Sequence, residues 1–84
     1  MRYRYRYGDY EGVARGDSPR EAALRVARMH GALRGPMRAR VASIERVLPE
    51  DGGWPWYVVH LQALRRVRGR EVVEREVRVW VRKG

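Results

Sequence analysis

WYVVHLQALRRVRGREVVEREVRVWV, residues 56–81, decides the fold. Apolar and polar residues alternate with a period of two on both sides of Gly69, so the stretch reads as one long antiparallel hairpin. A three-residue tip at Arg68-Gly69-Arg70 pairs Tyr57 with Val81, Val59 with Val79, Leu61 with Val77 and Arg65 with Val73, which gathers one apolar face. A two-residue tip would set Leu61 against Glu76 and Val59 against Arg78, so the three-residue tip is expected. The opposite face then pairs Val58 with Trp80, His60 with Arg78, Gln62 with Glu76 and Leu64 with Glu74.

Upstream, Pro49-Glu50-Asp51-Gly52-Gly53 is a polar loop. Before it, Met37, Ala39, Val41, Ser43 and Val47 alternate with Arg38, Arg40, Ala42, Ile44 and Arg46, so residues 37–48 read as a further strand, interrupted at Glu45. Gly16-Asp17-Ser18-Pro19-Arg20-Glu21 opens a helix, with Ser18 as N-cap, Pro19 at the first helical position and Glu21 completing a capping box. Ala22, Ala23, Val26, Ala27, Met29, His30 and Leu33 fall on one helix face, Arg20, Arg25 and Arg28 on the other. Gly31 or Gly35, with Pro36 beyond, ends it.

The chain opens Arg2-Tyr3-Arg4-Tyr5-Arg6-Tyr7, a strand with arginines on one face and tyrosines on the other. Gly8-Asp9 is the signal of a tight turn, after which Tyr7 opposes Tyr10, Tyr5 opposes Gly12, Tyr3 opposes Ala14 and Arg6 meets Glu11. One long strand bent at Gly8 is the alternative. The expected fold is a single α+β domain over residues 1–84, an antiparallel sheet of four to five strands with one helix on one face, ordered ββ-α-βββ or β-α-βββ. Tyrosines of the first strand, the apolar hairpin face and the alanine stripe form its core; the other sheet face stays open.

Glu11-Gly12-Val13-Ala14-Arg15-Gly16-Asp17-Ser18-Pro19-Arg20-Glu21-Ala22-Ala23 resembles the strand, Gly-Asp-Ser/Thr cap and helix start of HicB-type antitoxins and of many other small α+β domains. The likeness covers 13 of 84 residues. The three strands after the helix depart from that family's pattern, and the shared residues are those any capped strand-to-helix joint uses.

Composition narrows the function. Nineteen basic residues, 18 of them arginine, stand against ten acidic ones, for a net charge of +9. Asn, Thr, Cys and Phe are absent, with one Gln and one Ile, a bias that fits a GC-rich genome and is compatible with a thermophile. Codon bias accounts for arginine over lysine better than for the cationic excess. Without cysteine there is neither disulfide nor thiolate metal site. No apolar run approaches the ~20 residues of a membrane span, and the Arg/Tyr start is unlike a secretory signal; a cytoplasmic location is expected. His30 and His60 have no ligand set around them, Ser18 is engaged as a cap, Ser43 has no base near it in sequence, and no paired carboxylates or phosphate-cradling loop emerge, so neither catalysis nor a cofactor is expected.

What remains is a basic binding surface. Arg65, Arg66, Arg68 and Arg70 crowd the hairpin tip, with Glu71 the one carboxylate nearby in sequence; Arg2, Arg4, Arg6, Arg38, Arg40 and Arg78 line the open face with Trp80, which could stack on a base. Their common partner would be a phosphate backbone, so nucleic-acid binding, of DNA or RNA, is the expected function. Two other readings differ in class. In one, the second sheet face, with Trp80 and Val58, joins copies of a homo-oligomeric structural or assembly protein, including a viral one. In the other, the chain docks on an acidic protein. Trp54-Pro55-Trp56 reads as a corner capping the core, with Trp54 the more exposed.

Overall fold

The computed structural model describes residues 1–33 and 37–84. Strands β1 (Arg2–Tyr7) and β2 (Tyr10–Arg15) precede helix α1 (Pro19–Met29), and β3 (Arg38–Val47), β4 (Trp56–Val67) and β5 (Arg70–Lys83) follow. They form one antiparallel sheet in the order β2-β1-β5-β4-β3, with α1 packed on one face. This is the ββ-α-βββ alternative of the expected α+β fold. No helix among the described residues is long and apolar enough to cross a membrane.

The first hairpin folds as its alternation requires. Tyr3 opposes Ala14, Tyr5 opposes Gly12, Arg6 opposes Glu11 and Tyr7 opposes Tyr10, around a turn with φ of +56° at Gly8. Positive φ at the first turn position alone is the type II′ pattern, which glycine adopts without strain. The tyrosines face the helix. Tyr3 and Tyr5 are buried with Ala14, Ala22, Ala23, Val26, Ala27, Val59, Leu61, Val79 and Val81, and the small alanines let α1 lie close to the sheet.

Ser18 caps α1 with extended backbone, its Oγ accepting the Glu21 N–H at 3.2 Å. The reciprocal half of the box is displaced by one residue, since Glu21 Oε2 accepts from the Asp17 N–H at 3.2 Å. At the other end Gly31 has φ of +76°; its N–H donates to Arg28 O, and the Ala32 N–H donates to Ala27 O. That pair is a Schellman motif, and it selects Gly31 as the helix stop. Gly35 and Pro36 lie outside the described residues. Met29, expected on the buried stripe, is 59% exposed because it falls in the last turn, at the rim of the sheet. His30 stays half-buried, its Nε2 at 2.9 Å from the Tyr5 hydroxyl and its ring stacked on Tyr10 at 4.3 Å.

Two bulges correct the expected strand registers. From Trp56↔Arg82 to Ala63↔Arg75 the β4–β5 ladder is as expected, including Tyr57↔Val81, Val59↔Val79 and Leu61↔Val77. Beyond Ala63 it shifts, and Leu64 pairs with Val73, Arg65 with Val72, Arg66 with Glu71 and Val67 with Arg70. The tip therefore holds two residues, Arg68 and Gly69, with φ of +50° and +78°, and the extra residue of the expected three-residue tip sits in the strand at Glu74. A two-residue I′ turn matches the twist of the flanking strands, and the bulge restores apolar pairing below it. The pairings Arg65–Val73 and Leu64–Glu74 are thus replaced.

In β3 the ladder to β4 shifts between Val41 and Ser43, so that Val41 opposes Leu61 while Ile44 opposes Val59. Directly opposed residues share a face. Ile44, expected on the open face, therefore lies on the helix side, and Ser43 and Glu45 lie on the open side opposite His60 and Val58.

Candidate nucleic-acid interface

The sheet has one uncovered face and one projecting arm. α1 packs behind β1, β2, β4 and β5, and the long axis of the molecule measures 48 Å against 24 and 20 Å across. β3 pairing ends at Arg38↔Leu64, so residues 65–72 continue as a two-stranded ribbon. All of its residues are exposed.

On the open face, register places Arg4 of β1 opposite Arg82 of β5 and Arg6 opposite Trp80, with Arg2 of β1 and Arg78 of β5 at the two ends of this row. His60 and Gln62 of β4 and Arg40 and Arg38 of β3 continue the face toward the arm, where Arg66 joins it. Val58 and Leu64 also point this way, yet they are only 3% and 7% exposed. Val58 sits in the ladder between Trp80 and Glu45, and Leu64 between Val73 and Arg38, so longer neighbours cover them. Guanidinium groups and the Trp80 indole share the residual surface with two exposed valines, Val13 opposite Arg4 and Val73 opposite Leu64.

The eleven residues singled out from sequence divide by their partners. Arg6 pairs with Glu11 at 3.0 Å, Arg38 with Glu71 at 3.1 Å and Arg65 with Glu74 at 3.7 Å. Arg40 donates to Gln62 Oε1 through Nε at 3.0 Å. Arg2, Arg4, Arg66, Arg68, Arg70 and Arg78 have no carboxylate partner among the described residues. The expectation that the tip arginines lie free of carboxylates except Glu71 needs correction at Arg65, which the Glu74 bulge brings an acid to meet, and at Glu71, which Arg38 engages across the sheet. Arg65 and Arg70 also occupy the helix-side face of the ribbon and Arg66 the open side, so the tip presents charge in two directions.

The ion pairs of Arg6, Arg38 and Arg65 are solvent-exposed. Such pairs contribute less than about 1 kcal/mol, so an arginine in one remains available to a phosphate.

Sequence reasoning missed the order among the tryptophans. Trp56 carries Arg6 over its ring at 5.1 Å and Arg82 at 5.5 Å, and Trp54, which is 61% exposed, carries Lys83 at 5.0 Å. Trp80 has no cation over its ring among the described residues and meets Trp56 edge-on, centroids 6.2 Å apart at 69°. Arg82 also reaches across to Asp51 at 3.5 Å, tying the β3–β4 loop to β5. The alternation Arg78-Val79-Trp80-Val81-Arg82 signalled the shared face, but not which indole a neighbour would cover.

Among the described residues no three His, Cys, Asp or Glu side chains stand close enough together to hold a metal ion. No protein-family model, no curated protein and no solved structure matches the chain.

Proposed function

We propose that this protein binds nucleic acid, chiefly through phosphates, on the open sheet face and the β4–β5 ribbon. The carrying observation is the set of six exposed arginines, Arg2, Arg4, Arg66, Arg68, Arg70 and Arg78, that have no carboxylate partner among the described residues. Like charges gathered on the open face and around the ribbon tip repel one another, and a polyanion relieves that repulsion while releasing its own counterions. Guanidinium forks suit phosphate oxygens bidentately.

Fluorescence anisotropy with labelled oligonucleotides across a salt series tests this. With about six phosphates engaged, log affinity falls against log salt with a slope of about −5 on duplex DNA and about −4 on single strands. A slope near zero, or no binding at low salt, removes the reading. Self-association through the same face is the competing reading, and it persists at high salt where phosphate binding is lost.

A further inference from the structure

We infer that the strand bound is single, and that one of its bases stacks on Trp80 while Arg78 and Arg6 hold the flanking phosphates. The inference rests on the phosphate-binding reading above and deepens it.

Trp80 lines an open cavity of about 390 Å³ together with Arg6, Gly8 and Arg78. Gly8 puts no side chain over this space, and its φ of +56° is one that glycine adopts without strain. Trp56 meets the indole in a T-shaped contact, centroids 6.2 Å apart at 69°, which helps to fix the half-buried ring. The other two indoles each carry a cation, and Trp80 alone among the three tryptophans has none over its ring among the described residues. Arg78 lies two residues along β5 on the same side of the sheet and has no carboxylate partner among the described residues, and Arg6 opposes Trp80 directly from β1. A planar apolar surface set between two guanidinium groups is what a nucleotide in an unpaired strand requires, one stacked base and a phosphate on either side.

A duplex would make little use of this arrangement. Its bases are stacked on one another and show only their edges in the grooves, so an indole on a flat sheet could engage one only after unstacking it. Charge complementarity and an indole that no cation covers together select a single strand over a second copy of the chain, whose face would bring the same arginines against these.

The test uses the full chain with ten-nucleotide oligo(dT), oligo(U) and a duplex of equal length, the first two separating DNA from RNA. Single strands are expected to bind more tightly than the duplex, and Trp80→Leu is expected to weaken them by about 5- to 100-fold, with Trp80→Tyr retaining most of the affinity and Trp54→Leu unchanged. Photocrosslinking of wild-type protein to 5-bromouracil-substituted strands, mapped by mass spectrometry, is expected to mark Trp80, which keeps the test independent of whether Trp80→Leu folds. Steep salt dependence with crosslinks elsewhere and no loss in Trp80→Leu would overturn the stacking site and leave phosphate binding standing. Duplex binding as tight as single-strand binding overturns it too, as does a fall in particle mass on Trp80→Leu, which would make this face a contact between copies. Absence of binding to all three probes at low salt overturns both readings.

Discussion

Leu64 pairs with Val73 across the β4–β5 hairpin, although Ala63 one step earlier pairs with Arg75. Glu74 is the residue left over, and because of it the ribbon closes on Arg68 and Gly69 alone, both at positive φ. A non-glycine residue in the left-handed region costs about 1 kcal/mol, and asparagine tolerates it best. Arg68→Asn is therefore expected to stabilise the protein by about 0.5 kcal/mol in urea unfolding while weakening nucleic-acid binding. A three-residue tip would make the substitution neutral for stability. Arginine held in this conformation fits selection for charge at the tip over turn propensity.

Neutralising the tip is a sharper probe than reversing it. Glu at position 66 would face Glu71 directly and add a repulsion of its own. Arg66→Gln, Arg68→Gln and Arg70→Gln combined should change the salt slope on duplex DNA by about 2.7, as three lost phosphate contacts require. Stability should move by less than about 0.5 kcal/mol per site, since all three are exposed. An unchanged slope would shift the contact surface to Arg2, Arg4 and Arg78.

Elements whose partners are near in sequence were legible, and bulges were not. Gly8-Asp9 and the strict Arg/Tyr alternation fix the register of β1 on β2 once the chain turns at Gly8, although a single strand bent there was the alternative, and Ser18-Pro19 with Glu21 marks a helix start by local hydrogen bonding alone. In β5 the alternation fails at Val72-Val73-Glu74, where two adjacent valines let either face continue. A three-residue tip and a two-residue tip with a bulge then pair Leu61 with Val77 equally well, and turn geometry decides between them. Val41-Ala42-Ser43-Ile44 is ambiguous in the same way, because Ala42 and Ser43 are small enough for either side; packing of Ile44 opposite Val59 settles it. The cationic surface was legible as composition. Of the carboxylates that neutralise part of it, Glu11 opposite Arg6 was legible from the hairpin register, whereas Glu71 was not, because Arg38–Glu71 is a contact between strands far apart in sequence.

The start of α1 makes two separable demands. Ser18→Ala removes the acceptor of the Glu21 N–H and should cost about 1 kcal/mol, with Pro19→Ala close to neutral. Gly16→Ala should cost more, because a Cβ there would lie 2.7 Å from Ala22 N and 3.1 Å from Ala22 Cα, both backbone atoms. Thermal unfolding should find Gly16→Ala the least stable of the three, Ser18→Ala next, and Pro19→Ala closest to wild type. Equal stability of Gly16→Ala and wild type would mean that the helix sits farther from β2.

Burial raises the Tyr3 phenol above its ordinary value of about 10, and the nearby Tyr57 and Asp17 act in the same direction. Above that pH the unfolded chain releases this proton before the folded one does, so stability present below pH 10 is lost as pH rises through and beyond it. Urea unfolding between pH 8 and about 11 should show the decline, and Tyr3→Phe should flatten it. A profile identical in Tyr3→Phe would assign the alkaline loss to other groups.

Tyr5, His30 and Gly12 act as one unit. The Tyr5 ring lies so close over Gly12 that a Cβ there would be 2.8 Å from Tyr5 Cε2, and from this position the hydroxyl reaches His30 Nε2 at 2.9 Å. Tyr5→Phe loses the hydrogen bond but keeps the packing, at an expected cost of about 1 kcal/mol. Gly12→Ala displaces the ring from both, so it should cost at least as much. Because the two substitutions remove one shared interaction, the double variant should be less destabilised than the sum of the singles by 0.5 kcal/mol or more, on the order of contacts coupled through one side chain. Strict additivity in a double-mutant cycle would mean that the ring does not link the β1–β2 hairpin to the end of α1, and that the hairpin is held by its ladder to β5 alone.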